Sequence, residues 1–339
     1  MVICLHTVLY ATLHFLVDMV CAWSMFAFFS KGNYESFLIY NFWAFALQMP
    51  LGAMLDLLRN EMHRLPAACA SLGAFVTALG ALIHPVILGF GNALFHVGAG
   101  VGVIEEDSAK NLKGRSLGLF VAPGAIGLYA GTKLGKAMAT SAVLPIVGIV
   151  MVVLLAALFL SKPCKQFALV PNIHGKTIPL ALCCFAVVIL RSWIGLGISL
   201  SWKSDPTLVF LAVLCTAGGK LAGGLLAAQF GVAKTASASL LASSAFYLLA
   251  ERPLFGLAAI FLFNMSMPLT LYLLVQQLPH LPGFDFGLLT FGLFLGFLPV
   301  YAGILLPVSS PVFGAAGSLI SAIALTAAGK AANYGKLFA

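Results

Sequence analysis

The feature that most constrains this chain is that it is apolar almost without interruption. Twelve apolar stretches follow one another, at roughly 3–29, 35–57, 65–83, 85–104, 115–137, 141–160, 177–200, 206–229, 235–250, 254–277, 285–306 and 310–331. A bilayer core about 30 Å thick takes a helix of about 20 residues. In that core, backbone polar groups are satisfied only inside helices or a closed barrel. The stretches have helix length, so the expected fold is all-α and polytopic, with about twelve transmembrane helices. Divided among twelve spans, 339 residues leave about 28 apiece, little more than a spanning helix and its turn. No large domain outside the membrane is expected. Only 8% of the residues are charged, where a soluble domain carries about 25%.

The net charge of +8 would suggest a nucleic-acid partner in a soluble chain. Here it reads as basic loops at a membrane surface. Eleven Lys and Arg residues, Arg59, Lys110 and Lys234 among them, fall on one set of alternate loops and five on the other. That bias predicts both termini in the cytoplasm of an inner-membrane protein. The first stretch reads as a span and not as a cleavable signal peptide, because it lacks a basic start and contains His14 and Asp18. The seven cysteines show no metal-type spacing, and no metal or cofactor is expected.

One long polar interruption, Ser161 to Lys176, follows the sixth span. It predicts an N-terminal six-helix bundle (1–160), a cytoplasmic linker (161–176) and a C-terminal six-helix bundle (177–339), the layout of a transporter built from two related halves. The halves carry an internal echo. Span two ends Gly52-Ala-Met-Leu-Asp56-Leu-Leu-Arg59, and span eight ends Gly224-Leu-Leu-Ala-Ala228, reaching Lys234 after a turn. Asp56 either accepts bonds at a neighbouring helix N-terminus, where the macrodipole favours negative charge, or simply ends its helix. In the first case Gly52 and Asp56 form a gating latch that Ala228 cannot reproduce. Glycines at four-residue spacing, Gly127, Gly131 and Gly135 for instance, read as close helix packing.

Ionisable groups are costly at bilayer depth and default to functional hypotheses. The deep polar residues fall near the middle of the first helix of each three-helix repeat: His14 and Asp18 in span one, Asn92 and His96 in span four, Arg191 in span seven and Asn264 in span ten. Both pairs are four apart and share a helix face. Lys220 in span eight is a further cation. Asn92 reads either as a site residue or as a helix–helix hydrogen bond, His96 either as a site residue or as a satisfied structural histidine, and Lys220 either as buried or as snorkelling to the surface. Arg191 cannot shed its proton, so it needs a carboxylate, carbonyls, water or an anionic ligand. Asp18 is the one acid expected deep in a span. It is the expected proton-coupling residue, with His14 as its relay and Arg191 as its counter-ion. The deep set of Asp18, His14, His96, Arg191 and Lys220 sums to +1 with histidines neutral, which favours an anionic or zwitterionic solute.

The Gly52–Arg59 stretch resembles the loop motif of the major facilitator superfamily. Two further stretches, Leu13-His14-Phe15-Leu16-Val17-Asp18-Met19 and Gly89-Phe90-Gly91-Asn92-Ala93-Leu94-Phe95-His96, resemble the first and fourth helices of its fosmidomycin-resistance branch. Gly114-Arg115-Ser116-Leu117-Gly118-Leu119-Phe120 resembles that branch's entry to the fifth helix. The chain departs at His96-Val97-Gly98, where that branch continues His-Pro-Glu. The resemblance implies a monomeric secondary transporter, proton-coupled and open to export as well as import, in which the four polar helices line a cavity for a small-molecule substrate. His96, Asn92, Arg191, Asn264 and Lys220 are then the substrate-binding candidates. The alternatives are an intramembrane enzyme using the His14/Asp18 pair in acid–base chemistry and a non-transporting sensor.

Overall fold

The computed structural model describes residues 5–30, 34–59, 62, 64–137, 143–160, 177–304 and 310–337. Among them run twelve helical segments: α1 (Leu5–Phe29), α2 (Tyr34–Leu58), α3 (Leu65–Ile83), α4 (Pro85–Ala109), α5 (Arg115–Lys136), α6 (Val143–Leu160), α7 (Thr177–Gly197), α8 (Pro206–Phe230), α9 (Val232–Tyr247), α10 (Pro253–Gln277), α11 (Pro282–Tyr301) and α12 (Pro311–Leu337). Ten are long and apolar enough to cross a bilayer; α6 and α9 are the shorter two. The all-α, multi-pass expectation holds. The linker at 161–176 lies outside the described residues.

Helix ends follow local chemistry. Six helices, α3, α4, α8, α10, α11 and α12, have proline at the first or second position, where a missing N–H costs nothing. Asp205 caps α8 by accepting from the N–H groups of Thr207 and Leu208. The α4–α5 turn puts Asn111, Lys113 and Gly114 at positive φ. One departure from the sequence expectation is α4, which continues past 104 to Ala109 and takes Glu105, Glu106 and Asp107 into the helix. Their charges are not left to water: Arg59 Nη1 donates to Glu105 Oε1 at 2.7 Å, and Thr7 Oγ1 donates to Glu106 Oε2 at 2.7 Å. Span eleven likewise begins at Pro282, not 285. In α10 the α-helix stops at Asn264 and restarts at Ser266, just before Pro268, with the Ser266 hydroxyl donating to Phe263 O.

The chain divides into two compact units. One comprises Met1–Asn111, Leu119–Ala168 and Leu281–Phe291; the other comprises Leu112–Gly118, Leu169–His280 and Gly292–Ala339. In the first, α1 and α4 are the inner helices, with 72% and 78% of their spanning windows buried, and α1 packs on α3, α4 and α6. Glycines set the α3–α4 approach: Gly73 lies on the backbone of Phe95, and Gly91 on that of Thr77. In the second unit α9 packs on α12 and α8 on α10, with Gly219 against Phe261 O and Gly223 against Met265 O. Small residues allow this contact without any hydrophobic force between helices in lipid.

Candidate functional site

The two polar pairs converge in the first unit. Span one presents His14 and Asp18 one turn apart, with His14 Nε2 3.2 Å from Asp18 Oδ2. Span four brings His96 Nε2 to 3.5 Å from Asp18 Oδ1 and Asn92 Nδ2 to 3.4 Å from the same oxygen. The two imidazoles meet edge to face, with centroids 4.6 Å apart. All four residues are buried. Asn92 makes the helix–helix bond that the sequence allows, and its acceptor is the Asp18 carboxylate.

The outer ring nitrogens decide the chemistry. His14 Nδ1 lies 2.8 Å from Phe120 O, and His96 Nδ1 lies 2.9 Å from Asn92 O. A carbonyl oxygen only accepts, so each Nδ1 carries the ring hydrogen. In the neutral rings both Nε2 atoms are therefore bare lone pairs, and both face a carboxylate. Acceptors meeting acceptors repel unless a cation lies between them, and the smallest is a proton shared with Asp18. The donor atoms of His14, Asp18 and His96 lie within 4.8 Å of one another, so the group also has the composition of a metal site.

Space for this cluster is left by Gly124 on α5. A Cβ there would run into His14 Nε2 and lie 2.6 Å from Asp18 Oδ2. The same face continues with Gly127 against Phe15 O, Gly131 against Met19 O and Gly135 against Trp23 O, which bears out the packing reading of those three.

The end of α2 makes a second polar centre. Asp56 Oδ1 accepts from Gly283 N at 2.9 Å and Oδ2 from Phe284 N at 2.8 Å. These are first-turn N–H groups of α11, which have no partner within their own helix. Gly52 lies directly on Gly283, backbone against backbone. Arg59 Nε is 3.6 Å from Asp56 Oδ1 while its Nη1 holds Glu105. In the second unit, Gly224 lies against Gly114 O and the Cα of Gly118. The glycine contact of span two is thus echoed at the start of α5, without the carboxylate.

No family model and no curated protein matches the sequence. Solved structures do match its fold. It is similar to the E. coli fucose:proton symporter FucP (14% identity, 95% of this chain and 98% of that chain covered, TM-score 0.66), and to FucP in the outward conformation (13%, 96% and 98%, 0.64). It is also similar to the human organic anion transporter MFSD10 (14%, 94% and 99%, 0.64). The fold is the major facilitator fold.

The other expected residues of this facilitator fold lie in the second unit. Arg191 on α7 is 8% exposed, and its Nε has no hydrogen-bond partner among the described residues. Its neighbour Ser192 ties α7 to α11 by donating to Leu293 O. Asn264 Nδ2 donates to Ile260 O in its own helix, which occupies one of its donors at the α10 break. Lys220 on α8 is half-buried. Sequence reasoning missed Gly124, the carbonyl of Phe120 and the Arg59–Glu105 pair. It also put Asp18 as the one deep acid, whereas Asp56, Glu106, Asp107 and Asp285 are buried as well. Glu106 and Asp107 lie past the expected end of span four, and Asp56 and Asp285 lie at the ends of their spans.

Proposed function

We propose that the protein is a proton-coupled secondary active transporter. It carries a small anionic or zwitterionic solute across the cytoplasmic membrane by alternating access, as a monomer with both termini in the cytoplasm. The observation that carries this reading is the meeting of two bare imidazole nitrogens with the Asp18 carboxylate. Facing acceptors of this kind are brought together by one shared proton and part from it when one helix shifts. Asp18 is the coupling residue, with His14 and His96 as the partners that share its proton. Arg191 supplies the positive charge for an anionic group of the solute, with Asn92, Asn264 and Lys220 as further solute contacts. Gly52 and Asp56 serve as the gate. FucP is a proton symporter and MFSD10 an organic anion transporter, and both activities fall within this class. Kinship with the fosmidomycin-resistance branch rests on the stretches around Asp18 and His96, and it puts phosphonates and organic acids first among the solutes to try, in either direction.

The test is flux in proteoliposomes under an imposed pH gradient, using a panel of anionic metabolites and phosphonates, with product analysis and a chelator control. Wild type moves one of them in a gradient-dependent way, unchanged by chelator and with the solute chemically intact. Asp18→Asn loses gradient-driven accumulation but keeps exchange; full gradient-driven flux in that variant refutes the coupling role. Arg191→Gln weakens the anion's apparent affinity, and an unchanged affinity refutes the anion site. Chelator sensitivity would turn the cluster into a metal site, and an altered product would make the protein an enzyme.

A further inference from the structure

Asp285 sits in the first turn of α11, with its N–H donating to Leu281 O. Its side chain is fully buried, and neither carboxyl oxygen has a hydrogen-bond partner among the described residues. It follows directly on Gly283 and Phe284, whose N–H groups are held by Asp56. The helices packed on this end of α11 bring the following charges. From α2 come Asp56, which acts on Asp285 with like sign, and Arg59. From α4, which touches Phe286 through Gly100, come Glu105, Glu106 and Asp107. The contact from α5 is Phe120, which is apolar. His280 precedes the helix. Arg59 is committed to Asp56 and Glu105, and no ion pair to Asp285 is found among the described residues.

We propose that Asp285 is a second proton-binding site, and that it holds its proton when the Asp56 latch is closed. An ionised carboxylate that is buried, without donors and beside a second carboxylate is the least favourable state such a group can occupy. A proton removes that repulsion and leaves Asp56 charged, which its two N–H bonds require. When the latch opens, water reaches the first turn of α11. Asp285 then ionises in the place where a helix dipole favours negative charge. Proton binding and latch closure are therefore linked, and the linkage is reciprocal. Closing takes up a proton, so raising the pH on that face opens the gate. The sequence expectation of one coupling acid becomes two: Asp18 within the bundle and Asp285 at the gate.

The proposal rests on the latch reading of Asp56 but not on transport chemistry at Asp18, and its test needs no substrate. Hydrogen–deuterium exchange of the segment around Gly283 and Phe284 is followed in the full chain in lipid nanodiscs, from mildly acidic to mildly basic pH. Rates are corrected for the intrinsic pH dependence of exchange. Protection in wild type falls as pH rises. Asp285→Asn, neutral at every pH, keeps protection high and flat. Asp56→Asn lowers it about tenfold or more throughout. If protection in Asp56→Asn equals wild type, the latch itself is wrong. If that variant behaves as expected but the wild-type profile is flat, or Asp285→Asn retains the wild-type slope, the Asp285 proposal is overturned. Should Asp285→Asn fold poorly, the wild-type profile still decides the matter. The infrared carbonyl stretch of a protonated acid is a second readout: it must weaken as the wild-type segment loses protection.

Discussion

Replacing Gly124 by alanine tests the shared-proton cluster without removing a charge. The added methyl carbon would run into His14 Nε2 and sit 2.6 Å from Asp18 Oδ2, where relaxed non-bonded contacts need about 3.5 Å. The carboxylate oxygen or α5 must give way by close to 1 Å. The neighbouring helices are tied down, since Gly127 and Gly131 already sit on the backbone oxygens of Phe15 and Met19, so the side chains take most of the movement. A His14–Asp18 separation of 3.2 Å lengthened by even half of that lies outside hydrogen-bond range. Overpacking of this kind costs about 1–3 kcal/mol, offset by about 0.5–1 kcal/mol for replacing glycine within a helix. The stability loss is therefore modest, about 0–2.5 kcal/mol. The functional loss is large, because the proton is no longer shared. The expected outcome is a folded protein with a slightly lower melting temperature in detergent. Its carboxylic-acid infrared band, assigned by its loss in Asp18→Asn, titrates over a different pH range from wild type. Gradient-driven flux is lost while exchange survives. An unchanged titration of that band, with full gradient-driven flux, would refute the idea that Asp18 and the imidazoles hold one proton between them.

Three further outcomes follow from the same geometry. Arg59→Gln or Glu105→Gln leaves one half of a buried pair alone, with side chains 8% and 14% exposed, and each single change costs about 3–5 kcal/mol. The double variant recovers part of that loss in a thermal-unfolding cycle, and simple additivity would refute the pairing. Gly195→Ala and Gly148→Ala meet nothing within 4 Å, so both are expected to be neutral or to stabilise by up to about 1 kcal/mol; a clear drop in melting temperature would contradict the placement of those faces. Ser192→Ala removes a bond to Leu293 O and is expected to cost about 0.6 kcal/mol and at most about 1.7 kcal/mol, the average and maximum for hydrogen bonds between membrane helices, with anion affinity unchanged.

The helices were legible because lipid leaves the chain few options. A long apolar run must be a helix, and its ends are announced by proline or by charge. The i, i+4 pairs were legible for a related reason: two polar side chains on one face of a buried helix need each other, and His14–Asp18 turns out to be a direct contact. What pattern reading could not reach was contact between distant positions. Nothing local says that His96 meets Asp18 across 78 residues or that His14 donates to the carbonyl of Phe120. Gly124 was hidden in another way. It lies in the same row as the packing glycines, and only the coordinates tell a glycine that admits a backbone from one that leaves room for a side chain. The acids at 105–107 lie past the expected end of span four because charge ordinarily ends a span. A salt bridge to Arg59 and a hydroxyl from Thr7 let α4 carry them onward.

The comparison between Gly52 and Gly224 gives the internal repeat a physical meaning. Both glycines let the end of one helix rest on the start of another, Gly52 at Gly283 and Gly224 at Gly114 and Gly118. The shape of the contact is thus retained in both halves. The chemistry is not, because Asp56 has Ala228 as its counterpart, and Ala228 has no group to offer the N–H groups at the start of α5. Contact shape alone sets how closely two helices approach. A carboxylate adds a bond that water can replace and a charge that protons can influence. An element meant to open in response to a chemical signal needs both, whereas one meant to stay packed needs only the glycine. On the proposed reading gating falls to the Asp56–α11 contact, and the Gly224–α5 contact is a fixed seam.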